Sequence, residues 1–148
     1  MDKLRIAIGG DHAGYFLKEK IKKILMDLGH EIKDFGPFSE ESVDYPDYAH
    51  PIAIAIQNKE FNYGILICGT ANGVNIVANK HKGVRSALCW QEKIAELARS
   101  HNDANIIALP ARFIDFTEAE KTVLTFISTP FEGGRHANRV NKINEYCK

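Results

Sequence analysis

The sequence predicts an α/β fold, a three-layer α/β/α sandwich on a five-stranded parallel sheet of Rossmann-like organisation. Two observations predict it. Short apolar runs alternate five times with segments of helical periodicity that are too long for hairpin turns, and parallel strands require such crossovers. The run over residues 63–67 is nearly all apolar, as expected for a strand covered on both faces. At 148 residues the chain has the length of one domain, 1–148, with a core that needs no disulfides or metals.

The elements follow in order. Residues 4–8 form a strand that runs into Gly9 and Gly10. Apolar residues at Phe16, Leu17, Ile21, Ile24, Leu25 and Leu28 then mark one face of a helix, with Lys18, Glu19, Lys22 and Lys23 on the other and Gly29 as its stop. A second strand covers 31–35, and 36–46 is rich in turn residues. Helical periodicity resumes over 47–57 through Tyr48, Ile52, Ala55 and Ile56. The strand at 63–67 is followed by a helix over 74–80, a strand over 84–88, a helix over 91–100 and a strand over 105–109 closed by Pro110. Thr117 opens a helix to residue 128, with Glu120 three positions on to complete a capping box. Residues 135–146 form the last helix.

Charge and cysteine usage exclude several function classes. Nineteen basic residues balance nineteen acidic ones, whereas nucleic-acid binders and proteins that dock on anionic membranes carry a basic excess. Neither nucleic acid nor membrane is expected as a partner. Three cysteines without paired spacing argue against a disulfide framework. The N-terminal residues do not fit a signal peptide, and the longest apolar stretch is too short to span a bilayer, so a cytoplasmic location is expected. The six histidines show no H-x-x-x-H spacing and the cysteines no C-x-x-C, so no metal site is expected. A P-loop, a G-x-G-x-x-G fingerprint and a nucleophile elbow are likewise absent.

In open parallel sheets ligands bind beyond the carboxyl ends of the strands, and four segments are expected there. The loop Gly9-Gly10-Asp11-His12-Ala13-Gly14 lets the backbone approach a ligand and offers Asp11 and His12 as partners for a polyol; Asp11 is equally read as a helix cap. In Cys68-Gly69-Thr70-Ala71-Asn72-Gly73 the thiolate of Cys68 is expected to be stabilised before a helix N-terminus, with backbone N–H groups beside it for an oxyanion. The plainer reading of Cys68 is a small buried hydrophobe. His101 can exchange a proton near neutral pH or simply cap a helix end, and Asn102 and Asp103 can be turn formers. Arg112, Arg135 and Arg139 suit a phosphate, with a solvated helix face as the rival reading.

Six motifs occur in sequence: Gly-Asp-His-Ala-Gly from Gly10, Asp44-Tyr45-Pro46, Cys68-Gly69-Thr70, Ala78-Asn79-Lys80, His101-Asn102-Asp103 and Glu132-Gly133-Gly134-Arg135-His136. Their order resembles the sugar-phosphate isomerase family that contains the B-type ribose-5-phosphate isomerases together with galactose- and allose-6-phosphate isomerases, over residues 3–143. The resemblance implies interconversion of ribose 5-phosphate and ribulose 5-phosphate through an enediolate. It implies that Cys68 is the base, that Thr70 assists transfer between the two oxygens, and that His101 opens the furanose ring. The backbone of Gly69, Ala71, Asn72 and Gly73 would hold the enediolate, Asp11 and Asn102 the sugar oxygens, and His12, Arg112, Arg135 and Arg139 the rest of the substrate, chiefly its phosphate. It further implies no cofactor, and a homodimer or homotetramer with shared active sites, the last helix contributing to the interface.

Two positions depart from the family pattern. Ala71 replaces a glycine, so its Cβ is expected to narrow the pocket or demand a negative φ. Val74 stands near where some relatives carry a glutamate base, which leaves Cys68 as the base here. A six-carbon sugar-phosphate isomerase, a non-catalytic sugar-phosphate sensor and a flavodoxin-like cofactor module are the alternatives.

Overall fold

A computed structural model describes residues 2–147. Strands β1 (Arg5–Gly10), β2 (Glu31–Asp34), β3 (Tyr63–Cys68), β4 (Ser86–Leu88) and β5 (Ile106–Pro110) form one parallel sheet in the order β2-β1-β3-β5-β4. Helices α1 (Tyr15–Asp27), α2 (Pro46–Gln57), α3 (Asn72–Ala78), α4 (Glu92–Asn102), α5 (Phe116–Ser128) and α6 (Arg135–Glu145) complete the chain, with a single turn of 3₁₀ helix at His12–Gly14. Side chains alternate along each strand. Ile6, Ile8, Ile65, Ile67, Ile107 and Leu109 face α1, α4 and α5. Ala7, Leu66, Cys68, Ile106 and Ala108 face α2 and α3. The expected three-layer sandwich is therefore present. From β1 the chain leaves toward β2 and then returns to β3 on the far side, so the switch in direction falls between β1 and β3. Such a switch opens a crevice at the carboxyl ends of the two strands.

Three local expectations are corrected. Lys18, expected on the solvated face of α1, is only 1% exposed. Its Nζ donates to Asp34 Oδ2 at 2.6 Å and Glu19 Oε1 at 3.0 Å, and it lies over the rings of Tyr15 and Phe38. The apolar positions Phe16 and Leu28 are exposed instead. The capping box of α5 is replaced by Asp115, whose Oδ1 accepts from the Glu118 amide at 2.8 Å; the extended backbone of Asp115 suits a cap, and Thr117 falls inside the helix. β4 starts two residues late because Asn105 Oδ1 takes the Arg85 amide.

Asp34 ties α1 to the segment after β2. Burial pushes its carboxyl up, but hydrogen bonds from Lys18, Lys22 and the Gly36 amide outweigh this and hold it below the ordinary range. Replacing Lys18 with methionine leaves this partly buried carboxylate with one cation, Lys22, beside the Gly36 amide. Urea unfolding should show a loss of about 3 kcal/mol, the lower end for a broken buried pair.

Candidate active site

The mouth between β1 and β3 is built by close approach of backbone. A Cβ at Gly10 or Gly14 would strike the Ile67 carbonyl, so only glycine lets the loop after β1 lie against β3. The Asp11 amide donates to Ile67 O at 3.1 Å, which fixes the aspartate beside the end of β3. Its two oxygens divide the work. Oδ1 accepts from the amides of Ala13 (2.9 Å) and Gly14 (3.3 Å), and Oδ2 accepts from Cys68 Sγ at 3.2 Å. Asp11 is thus a helix cap and a partner of the cysteine at once. His12 Nδ1 accepts from the Val43 amide at 3.2 Å, which places its ring proton on Nε2.

Cys68 ends β3 and is 8% exposed. Burial, then the hydrogen bond to Asp11 and its charge, push the thiol up to about 11, against which the amides of Gly69 and Ala71 pull it down. The resting group is therefore a thiol and not the stabilised thiolate expected from the helix N-terminus. Desolvation and an anionic neighbour outweigh two amides and a short helix. In Asp11→Asn the cap on Ala13 is kept and the charge removed. Cys68 should then titrate at lower pH, read as the pH dependence of its alkylation rate; an unchanged profile would contradict the assignment.

Ala71 adopts φ +65° and ψ 0°, so the alanine takes the left-handed conformation a glycine would have used, at a cost of about 1–2 kcal/mol. Its Cβ neither forces a negative φ nor narrows the mouth. The residue is fully buried in the apolar layer with Val74 and Ala78, and its carbonyl accepts from the Asn75 amide at 3.1 Å to start α3. Thr70 is exposed, and its Oγ1 accepts from the Asn72 amide at 3.3 Å, which leaves the hydroxyl proton free to donate. Asn72 is exposed, and Gly73 lies under the ring of Tyr45, where a Cβ would clash. Arg112 follows β5, stays exposed, and rests on Gly69, while its amide donates to the Gly69 carbonyl at 3.0 Å.

Not all four segments share this edge. His101 and Asn102 end α4 and precede β5, so they lie at the amino ends of the strands. Arg135 and Arg139 on α6 are there too, because the Glu132 amide bonds Ser100 O at 3.0 Å and the His136 ring stacks on His101. From the start of β5 to Pro110, which pairs with Cys68, is a span of roughly 13 Å at the strand rise. The candidate residues of one chain thus fall into two groups at opposite edges of its sheet, each a candidate half-site: Asp11, His12, the 68–73 loop and Arg112 at the carboxyl ends, the upper one, and His101, Asn102, Arg135 and Arg139 at the amino ends, the lower one. The lower half-site is firmly held. Arg99 donates to Asp103 Oδ1 at 2.8 Å and Ala104 O at 2.7 Å, and Arg85 to Asp103 O at 3.0 Å, which fixes the turn after His101.

A family model described as Ribose/Galactose Isomerase matches residues 6–143. The chain belongs to this family. Within the family it is 42% identical over 139 residues to ribose-5-phosphate isomerase B of Escherichia coli strain K12, a match covering 94% of this chain and 93% of that one. Its fold superposes on the crystal structure of a ribose 5-phosphate isomerase from Thermotoga maritima with a TM-score of 0.95 and 51% identity, over 97% and 99% of the two chains. A Mycoplasma genitalium ribose-5-phosphate isomerase B with bound ribulose-5-phosphate matches with a TM-score of 0.92 and 43% identity, over 96% and 95%.

Residues outside the expected set also contact the two candidate groups. Tyr45 lies on Gly73, and Glu132 and His136 flank His101. The motifs Asp-Tyr-Pro and Glu-Gly-Gly-Arg-His signalled all three, but spacing alone assigned them no contact. Among the described residues no helix is long and apolar enough to cross a membrane.

Proposed function

We propose that this protein interconverts D-ribose 5-phosphate and D-ribulose 5-phosphate through an enediolate, at sites each completed by two copies of the chain. The observation that carries this reading is the Cys68 thiol bonded to Asp11 at the switch point of the sheet, beside the amides of Gly69 and Ala71. Removing a proton next to a carbonyl needs a base, donors for the developing oxyanion and a group that opens the ring. The first two are in the upper half-site and the third in the lower one, so the lower half-site of a second copy completes the set.

The steps balance within these residues. His101 takes the proton of the anomeric hydroxyl and returns one to the ring oxygen as the C1–O4 bond breaks. The Cys68 proton passes to Asp11 Oδ2, and the thiolate takes the proton from C2 as electrons move onto O1. The amides from Gly69 to Gly73 hold the enediolate, Thr70 moves a proton between O1 and O2, and Cys68 delivers its proton to C1 and then recovers its own from Asp11 Oδ2. Asp11 and Asn102 orient sugar hydroxyls, while His12 with Arg112, Arg135 and Arg139 holds the phosphate. Exposed Ile76 on α3, Ile143 on α6 and the neighbouring Tyr146 suit burial between copies, in a homodimer or homotetramer.

The reading is tested by comparing kcat/KM for ribose 5-phosphate with that for allose 6-phosphate and galactose 6-phosphate. A preference of roughly 10-fold or more for the five-carbon substrate is expected, the scale one misplaced carbon produces. Equal or reversed values would overturn the substrate assignment in favour of a six-carbon isomerase. Binding without turnover of any of the three would make the protein a sensor.

A further inference from the structure

The lower half-site contains a constellation beyond the residues assigned to substrate. His101 and His136 stack with ring centroids 4.1 Å apart and planes 12° from parallel. Glu132 Oε2 lies 3.5 Å from His101 Nε2. The local sequence explains the placement. Gly133 at φ +70° and Gly134 at φ +55° take conformations that L side chains rarely adopt, and no atom lies within 4 Å of a Cβ built at either. These glycines are required by the dihedrals and not by crowding. The turn they make sets Glu132 before it and His136, in the first turn of α6, on either side of His101. The Glu132 amide bond to Ser100 O ties the turn to α4.

Two histidines and a carboxylate whose ligand atoms all lie within 4.8 Å of one another resemble a metal site. The stacking argues otherwise. A metal binds in the plane of each imidazole it joins, and two nearly parallel planes about 4 Å apart cannot share one ion. The same arrangement suits the support of one working imidazole. His136 is 8% exposed; burial, then the charges of His101 and Arg135, push it down, Arg139 adds to this, and Glu132 opposes it. It therefore presents a neutral face to its neighbour.

Resting on the reading of His101 as the ring-opening group, we propose that Glu132 and His136 are its positioning residues. The carboxylate holds Nε2–H and the stacked imidazole fixes the ring plane, so Nδ1 is the nitrogen that exchanges the proton of the furanose. The 3.5 Å separation is loose for a hydrogen bond and closes as positive charge develops on the ring.

The test separates ring opening from proton transfer at carbon. Ribulose 5-phosphate is open-chain, so exchange of its C1 proton for deuterium in heavy water needs the Cys68 half-site chemistry but no ring opening. In full-length Glu132→Ala and His136→Ala, kcat on ribose 5-phosphate should fall roughly 10- to 100-fold with KM little changed, and deuterium exchange should stay within about 2-fold of wild type. Glu132→Gln, which keeps an accepting oxygen, and His136→Phe, which keeps a stacking ring, should recover most of the turnover. An equal fall in both readouts, no fall in either, or a lack of rescue would overturn the proposal. So would a stoichiometric Co²⁺ that raises wild-type turnover. Absence of both activities in the wild type would instead reject the ribose 5-phosphate reading itself.

Discussion

Replacing Cys68 with alanine should lower turnover of ribose 5-phosphate by about 10³-fold or more, within the range that general-base removal produces. The chain should remain folded, because Sγ is one small group at the margin of the α2/α3 layer and its loss costs on the order of 1 kcal/mol. Serine at this position should be nearly as inactive as alanine. It can replace the hydrogen bond to Asp11, but its hydroxyl is a far weaker acid than even the elevated Cys68 thiol. KM should change little, since the proposed phosphate grip lies on other residues. A steady-state rate comparison with circular dichroism as the folding control checks all of this. Turnover that survives in the alanine variant would place the base on another residue.

The elevated thiol also has a signature at high pH. Cys68 and Cys89 are raised from an ordinary value of 9.0 to about 11 and about 12, chiefly by burial. The folded state therefore holds these protons more tightly than the unfolded chain. The resulting stabilisation is complete below pH 9 and is lost as pH rises through about 11 to 12.

The fold was legible because hydrophobic periodicity and chain order are local signals. Five apolar runs separated by crossovers fix a parallel sheet whatever the details of packing. Details that depend on residues distant in sequence were not legible. Lys18 reads as a solvated lysine until β2 brings Asp34 to its Nζ. The state of Cys68 depends on burial and on the hydrogen bond and charge of Asp11, 57 positions away, which together outweigh the amides of Gly69 and Ala71. Thr117 looked like a cap because hydroxyls often are, but Asp115 reached the free amides first. The left-handed Ala71 broke the rule that a Cβ avoids that conformation, as happens where the surrounding structure determines the backbone.

The placement of His101 is a different case, because the signal was available. A residue that precedes a strand lies at the opposite edge of a parallel sheet from one that follows a strand. His101 precedes β5, whereas Cys68 is the last residue of β3, so the two could not meet within one chain. The resemblance to the sugar-phosphate isomerases implied shared sites, and this separation agrees with that proposal. On the proposed reading, Arg112 of one chain and the pair Arg135 and Arg139 of another converge on one phosphate.

Subunit complementation tests this central claim most directly. Cys68→Ala and His101→Ala are each expected to be inactive alone. A mixed dimer has one site that carries both substitutions and one that carries neither. Unfolding and refolding an equimolar mixture should therefore return about one quarter of wild-type turnover, from one intact site in each of the half of dimers that are mixed. Activity that stays at the level of the separate variants, with subunit exchange verified by mass spectrometry, would show that Cys68 and His101 act within a single chain and would contradict the account.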